Sequence, residues 1–314
     1  MSLVKVPASL RLGLDLGGTK IEGALFAPDN TLLTSTRMAT PRDDYAGTIR
    51  AICDLVARLE GNLDQGVAGT SRIGIGVPGS ISPLTGVMQN ANSTWLNGRP
   101  FDQDLAHSLG RPVRLANDAN CFALSEAADG AGVGAGSVFG VILGTGCGGG
   151  LVLNGRLVNG GRGIGGEWGH NPLPWAVGNE HPGPQCWCGR RGCMETWVSG
   201  PGLEADHTRA TGVKLQAEAI ASLAVRGDDA AQASLARHAS RLARGLAHVV
   251  NIFDPDVIVL GGGLSKLAHL YEVLPALMAP HIFASDTRVR ILSPKWGDAS
   301  GVRGAAWLWD EIGA

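Results

Sequence analysis

Short apolar runs that end at glycine alternate along the chain with longer segments whose apolar residues recur every three or four positions. Runs of the first kind are typical of buried strands, and segments of the second kind are typical of amphipathic helices. Residues 44–60 show the helical spacing, with Ile52 and Val56 on one face. The pattern predicts an α/β protein. Its predicted strands cover 11–16, 21–27, 31–36, 72–77, 112–116, 137–143, 149–154 and 256–260, and its predicted helices cover 44–60, 102–109, 119–130, 200–252 (broken near 227), 266–279 and 301–311.

One arrangement occurs twice. The first two predicted strands are joined through Gly17 and Gly18, and a second pair of strands is joined through residues 144–146. A repeated strand–glycine turn–strand plan indicates two related α/β domains, and the absence of an obvious linker indicates that they share a cleft. We expect one domain of residues 1–117 with 301–314, and a second of residues 118–300.

Composition and charge argue against several classes of function. The net charge of −2 and the pI of about 6.4 argue against nucleic acid or an anionic membrane as the main partner. No apolar stretch of about 18 residues predicts a membrane span, and no secretory signal is evident, so we expect a cytoplasmic protein. The 47 glycines among 314 residues are about twice the usual share. They are clustered, which indicates functional turns.

A compact group of metal-ligand residue types is the most informative feature. One histidine and three cysteines lie within twenty-four residues: His170, Cys186, Cys188 and Cys193. Thiolate and imidazole are the ligands that zinc prefers, and four of them close a structural site. The alternative is three buried free cysteines and an unrelated histidine. A zinc ion here would also hold two neighbouring carboxylates, Glu167 and Glu195, close together.

Two glycine turns are candidate phosphate-binding sites, because glycine lets backbone N–H groups approach a phosphate. A third is a candidate surface for the ribose or adenine of a nucleotide. An ordinary hairpin turn remains the alternative for the first, and a tight strand–helix turn for the third. The carboxylate that precedes the first turn is placed to hold Mg²⁺. The candidates are Asp15, Gly17, Gly18, Thr19 and Lys20, then Gly144, Thr145 and Gly146, and finally Gly261, Gly262 and Gly263.

Asp118 lies where a predicted strand meets a predicted helix. It is either a helix N-cap or a general base that takes a proton from a substrate hydroxyl, with Asn117 orienting the substrate. The loop at 90–98 is rich in amide and hydroxyl groups, which suits either a polyhydroxylated ligand or a solvated turn. Trp95 in that loop is a candidate platform for the apolar face of a sugar.

Together these motifs resemble the ROK family (repressors, open reading frames and sugar kinases) along almost the whole chain. The family implies a two-domain, actin-like ATPase (ribonuclease-H-like) fold, with ATP and sugar in the interdomain cleft. The matching stretches are Asp15-Leu-Gly-Gly-Thr-Lys20, Ala116-Asn-Asp-Ala-Asn-Cys-Phe-Ala-Leu-Ser-Glu126, Gly144-Thr-Gly-Cys-Gly-Gly-Gly150, Gly166-Glu-Trp-Gly-His170, Cys186-Trp-Cys-Gly-Arg-Arg-Gly-Cys-Met-Glu195 and Val259-Leu-Gly-Gly-Gly263.

The resemblance implies roles for individual residues. Asp118 corresponds to the catalytic base of the family, and ATP, Mg²⁺ and a structural Zn²⁺ are the implied cofactors. His170, Cys186, Cys188 and Cys193 correspond to its zinc ligands. Its sugar contacts correspond to Asn92, Asn117, Glu167, His170 and Glu195.

The predicted function is an ATP-dependent kinase that phosphorylates the 6-hydroxyl of a hexose. Residues 90–98 and 167–175 are similar to bacterial fructokinases of the manno-fructokinase type, so fructose is the expected acceptor, ahead of mannose or glucose. N-acetylglucosamine kinase and glucokinase are the alternatives within the family.

A sugar-sensing regulator is the alternative of another class. Regulators of this family carry a DNA-binding helix-turn-helix before the first glycine turn, and only about fifteen residues precede that turn here. We therefore expect an enzyme with a hexose as its partner, without nucleic acid or membrane, and a homodimer is a possible assembly.

Overall fold

The computed structural model describes residues 10–61 and 69–310. The parts of the predicted first domain at 1–9, 62–68 and 311–314 lie outside the described residues. The described chain contains two five-stranded sheets with helices packed on them, so the predicted α/β class is confirmed. In this part of the chain, no helix has both the length and the apolar character needed to cross a bilayer.

The first sheet has its five strands in the order β3-β2-β1-β4-β7. The pairs β1–β2 and β2–β3 are antiparallel, whereas β1–β4 and β4–β7 are parallel. Strands β5 and β6 form a separate two-stranded ribbon. The bounds are β1 (Arg11–Leu16), β2 (Lys20–Phe26), β3 (Leu32–Ala39), β4 (Arg72–Val77), β5 (Ser80–Ile81), β6 (Met88–Gln89) and β7 (Val113–Asn117).

The second sheet repeats this topology, with the order β10-β9-β8-β11-β12. Its first three strands are antiparallel and its last two pairs are parallel, as in the first sheet. The repeat confirms the prediction of two related α/β units. The bounds are β8 (Ser137–Leu143), β9 (Cys147–Leu153), β10 (Arg156–Leu157), β11 (Val257–Gly261) and β12 (Ile291–Leu292).

The helices depart from the prediction in two places. The predicted region 200–252 is divided into three helices, because the chain takes a left-handed conformation at Gly212 as well as turning near 227. The predicted helix at 301–311 ends at residue 306 and continues as a single 3₁₀ turn. The α-helices are α1 (Tyr45–Glu60), α2 (Phe101–Leu109), α3 (Asp118–Ala128), α4 (Glu195–Val198), α5 (Gly200–Thr211), α6 (Ala217–Val225), α7 (Asp229–Phe253), α8 (His269–Met278) and α9 (Ser300–Ala306).

Each sheet has its own apolar core. In the first, α1 and α2 cover the sheet with side chains such as Ile52, Leu55 and Leu105. In the second, the long helix α7 covers the sheet with α5, α6 and α8. The predicted boundary near residue 117 stays a prediction, although β7 ends at Asn117 and the second sheet begins only at Ser137.

Helices α3 and α9 lie between the two sheets and touch each other. Glycines make this possible, because a methyl group on Gly13 or Gly74 would overlap the backbone of α9. A methyl group on Gly304 would likewise overlap the carbonyl oxygen of Cys121 in α3. These glycines are therefore packing positions and not phosphate turns.

We expect Gly74→Ala to lower the free energy of unfolding by about 2–3 kcal/mol, because the added carbon meets the carbonyl group of Ala305 in a rigid helix. The matched control is Gly161→Ala, where an added carbon meets no atom within 4 Å. It should change stability by less than about 0.5 kcal/mol. Urea unfolding of both variants checks this, and equal midpoints would contradict the packing role.

Candidate active site

A cavity of about 710 Å³ lies in the cleft between the two sheets, with lining residues from both halves of the chain. The end of β4 contributes Pro78 and Gly79, and the turn between β8 and β9 contributes residues 144–146. All the side chains that the family resemblance assigns to the sugar or to the base line this one cavity. They are Asn92, Asn117, Asp118, Glu167, His170 and Glu195.

Asp118 is the first residue of α3, and the cap of that helix is its neighbour Asn117. The Asn117 side chain accepts the amide N–H of Ala119 at 2.9 Å. Asp118 Oδ1 accepts the same N–H at 2.8 Å, which leaves the rest of its carboxylate open to the cleft. The interpretation of Asp118 as the N-cap is therefore wrong, because the neighbouring amide takes that role.

Asp118 lines the cavity, and Asp15 lies close enough for the charge of Asp118 to act on it. Although one face of Asp118 is open to the cleft, protein surrounds the rest of it, and this burial raises its pKa above the ordinary value for aspartate. Burial, followed by the nearby charge of Asp118, raises the pKa of Asp15 to about 6. Neither carboxylate has an ion-pair partner among residues 10–61 and 69–310. Such a pair is suited to a divalent cation.

Glu195 is held from two sides. Its Oε2 atom accepts the backbone N–H of Cys147 at 3.1 Å, and its Oε1 atom accepts the indole N–H of Trp187 at 2.7 Å. Glu167 is partly buried, and this burial raises its pKa. The charge of His170 opposes the shift, while Asp118 and Glu195 add to it. The cleft therefore presents carboxylate acceptors in fixed positions.

The four predicted zinc ligands converge. Their ligand atoms all lie within 4.8 Å of one another. Cys186 Sγ is 3.6 Å from His170 Nδ1, and Cys188 Sγ is 3.6 Å from Cys193 Sγ. A tetrahedral zinc ion, with bonds of about 2.3 Å to sulfur and about 2.0 Å to nitrogen, separates its ligands by about 3.5–3.8 Å. The donor set and its spacing therefore fit zinc, with Nδ1 of His170 as the ligating nitrogen.

The chain that leads into the cysteines is fastened to α7 by a buried ion network. Glu180 accepts hydrogen bonds from Arg241 at 2.8 Å and from Arg244 at 2.8 and 2.9 Å. Burial opposes the charge on Glu180, but the two guanidinium groups outweigh it and lower its pKa to about 2. Arg241 also pairs with Asp206 at 2.7 Å. The loop is thus anchored to the second domain independently of any metal.

The three glycine turns differ in their surroundings. Gly144, Thr145 and Gly146 line the cavity, whereas the first turn lies outside its lining and Lys20 pairs with Glu22 at 3.1 Å. Gly261 is the last residue of β11, and a side chain there would overlap the ring of Phe122. Packing against Phe122 therefore accounts for Gly261. Gly262 is explained by its backbone, which has a positive φ of 78° and lies beside the backbone of Leu143. A nucleotide-binding role for the first and third turns stays a prediction.

Trp95, the predicted sugar platform, does not line the cavity. Its indole N–H donates to Thr48 Oγ1 at 3.2 Å and its ring packs against the first core. The exposed tryptophan in the cleft is instead Trp187, between two of the predicted metal ligands. The sequence analysis also missed other polar lining residues. These are Asn171 and Arg190, whereas Asn90 belongs to the 90–98 loop that the sequence already indicated.

Comparison with known proteins agrees with this geometry. The ROK family model matches residues 11–312. An N-acetyl-D-glucosamine kinase of Pasteurella multocida is 39% identical over 305 residues, which are 96% of this chain and 99% of that protein. The crystal structure of a ROK hexokinase from Thermus thermophilus superposes with a TM-score of 0.81 and 34% identity, covering 95% of this chain and 96% of that one.

A ROK glucokinase from Streptomyces griseus, solved in complex with glucose and AMPPNP, has a TM-score of 0.76 and 28% identity, covering 96% of this chain and 99% of that one. These matches span nearly the full length of each protein. The chain belongs to the ROK family, and its fold is the two-domain, actin-like ATPase fold.

We expect the purified protein to contain about one zinc ion per chain, as measured by elemental analysis. Cys188→Ser should lower both the zinc content and the thermal-unfolding midpoint, because metal binding and local folding are coupled. The matched control is Cys53→Ser, which replaces a half-buried thiol outside the cluster and should leave the zinc content unchanged. Protein purified without chelators that lacked zinc would contradict the assignment.

Proposed function

We propose that this chain is an ATP-dependent sugar kinase that transfers the γ-phosphoryl group of ATP to the primary 6-hydroxyl of N-acetylglucosamine. Family membership and the kinase relatives support the sugar-kinase class. The observation that carries the catalytic assignment is the carboxylate of Asp118. It opens into the cleft at the start of α3 while Asn117 caps the helix.

In the proposed reaction, Asp118 accepts the proton of the attacking sugar hydroxyl. Its raised pKa makes it a stronger base than an ordinary aspartate. The hydroxyl oxygen then attacks the γ-phosphorus in line with the departing ADP. Because the protein forms no covalent bond to the phosphoryl group in this reaction, positioning of the reactants and stabilisation of charge supply most of the catalysis.

Phosphate binding is assigned to the backbone of Gly144, Thr145 and Gly146, which lines the cavity next to the base. Asp15 would hold a magnesium ion, directly or through water, and such an ion supplies neutralisation of charge on the phosphates. The turn at 17–20 and the glycines at 261–263 are assigned to the nucleotide on the basis of the family resemblance.

The sugar is assigned to the other polar side chains that line the cavity. Glu167, His170 and Glu195 accept or donate hydrogen bonds to its hydroxyls, together with Asn92 and Asn117. Zinc, when bound, supplies a structural clip that holds the loop of the three cysteines. With Nδ1 of His170 facing the cluster, Nε2 is the nitrogen available to the sugar.

Two observations favour N-acetylglucosamine over fructose as the acceptor. The first is the 39% identity to an N-acetyl-D-glucosamine kinase along the whole chain. The second is that the cavity extends beyond the 90–98 loop, where Ile164 adds an apolar surface and Asn171 adds an amide. An acetamido group needs both kinds of neighbour. The relatives give no support to the earlier expectation of fructose.

Asp118→Asn should lower kcat by about 10²–10⁴-fold, because the amide keeps the shape of the side chain but cannot accept the proton. Sugar affinity and the circular dichroism spectrum should stay close to those of the wild type. Asp286→Asn is the control, since that carboxylate is exposed and does not line the cavity. A kcat near the wild-type value for Asp118→Asn would remove the base assignment.

A sugar panel tests the acceptor. With saturating ATP and Mg²⁺, kcat/KM should be highest for N-acetylglucosamine and at least about tenfold lower for glucose, fructose and mannose. One unpaired buried polar group costs about 1–3 kcal/mol, which is enough for that ratio. A preference for fructose would restore the earlier subtype and leave the kinase class intact. Phosphorylation of none of these sugars would count against the kinase.

A further inference from the structure

Trp187 occupies an unusual position in the cleft. It lies between Cys186 and Cys188 in the sequence. Because both of these cysteines belong to the metal-ligand cluster, the backbone of Trp187 lies beside that cluster. The ring is nevertheless 65% exposed, and it lines the cavity that contains Asp118. A large apolar ring exposed inside a polar cleft calls for a partner.

Two contacts fix the orientation of this ring. The indole N–H donates to Oε1 of Glu195 at 2.7 Å, a short hydrogen bond to a carboxylate. The ring also meets the imidazole of His170 edge to face, with a centroid distance of 4.9 Å and an interplanar angle of 86°. The indole therefore touches two of the side chains that we assign to the sugar.

The contact with Glu195 has a consequence for the carboxylate. Its other oxygen, Oε2, accepts the backbone N–H of Cys147. Each oxygen thus has one protein donor and keeps lone pairs for a ligand hydroxyl. Without the indole N–H, Oε1 would lose its only protein donor among the described residues. The carboxylate of Glu195 would then be held only by the hydrogen bond from Cys147 to Oε2, and it could change its orientation.

We propose that Trp187 is a positioning and specificity residue of the acceptor site, an inference that rests on the proposed sugar-kinase function. The indole N–H holds Glu195 in the orientation that receives sugar hydroxyls. The exposed face of the ring packs against the C–H surface of the bound sugar. The hydrogen bond and the ring contact of the indole go to Glu195 and His170 and not to Asp118 or residues 144–146, so we expect its effect on the sugar and not on ATP.

Trp187→Phe separates the two contributions, because it keeps an aromatic face and removes the N–H donor. It should raise the KM for sugar about tenfold, the loss expected for one hydrogen bond to a charged group. The KM for ATP should stay within about twofold. Trp187→Ala should raise the sugar KM further, since the apolar surface is lost as well.

Zinc content and the thermal-unfolding midpoint of both variants are measured alongside, to detect a merely structural effect. Trp175→Phe is the matched control, because that ring is 48% exposed but lies outside the cavity and stacks on His281 at 4.8 Å. It should leave both KM values unchanged.

A second measurement asks whether the indole acts through Glu195. Sugar affinity is determined by calorimetry in the Glu195→Ala background, with and without Trp187→Phe. If the indole N–H works by holding the carboxylate, Trp187→Phe should weaken binding by less than about twofold there. The same tenfold loss in both backgrounds would overturn the proposal, as would parallel loss of zinc and activity, or a wild-type KM for Trp187→Phe. A wild-type protein that phosphorylates no sugar would instead refute the proposed function itself.

Discussion

The close contact between α3 and α9 is the constraint on which the rest of the molecule depends. The carbonyl of Cys121 meets Gly304 with no side chain between the two backbones. On either side, glycines in the strands let each helix approach its own sheet. Because Asp118 begins α3, this packing also fixes the depth of the proposed base in the cleft. The domain junction and the catalytic position are therefore set by the same helix.

The second determinant of the site is the segment from Glu167 to Glu195. It has little regular secondary structure, yet it supplies three of the assigned sugar contacts. Two kinds of interaction shape it, namely the converging cysteines with His170 and the ion network centred on Glu180. Loops can position functional groups accurately when rigid elements fix them at several points. This segment is fixed to α7 through Glu180 and is also held together at the metal-ligand cluster.

The strongly patterned parts of the chain could be predicted from sequence, and the strands at 11–16, 72–77 and 137–143 match to the residue. Strands such as β12 could not, since two residues gain strand geometry only by pairing with β11. At Asn117 and Asp118, both side chains are good caps, and only the folded backbone decides which one caps the helix. Trp95 and Trp187 look alike in sequence, but tertiary neighbours bury one in a core and expose the other in the cleft. Gly261 is required because the ring of Phe122, from a helix far away in the sequence, packs against it.

The ion network at Glu180 affects the order in which interactions are lost when the pH is lowered. A carboxylate whose folded pKa is lowered to about 2 contributes its full stabilisation above the ordinary pKa of glutamate, and loses that contribution progressively as the pH falls from there through about 2. Thiolates and imidazole release zinc when they take up protons, well before such acidity is reached. On acidification, a zinc ion bound at the predicted site should therefore be released while Glu180 still pairs with Arg241 and Arg244. The first acid-induced state of a zinc-loaded protein would then be metal-free, with its loop still attached to α7 at its base.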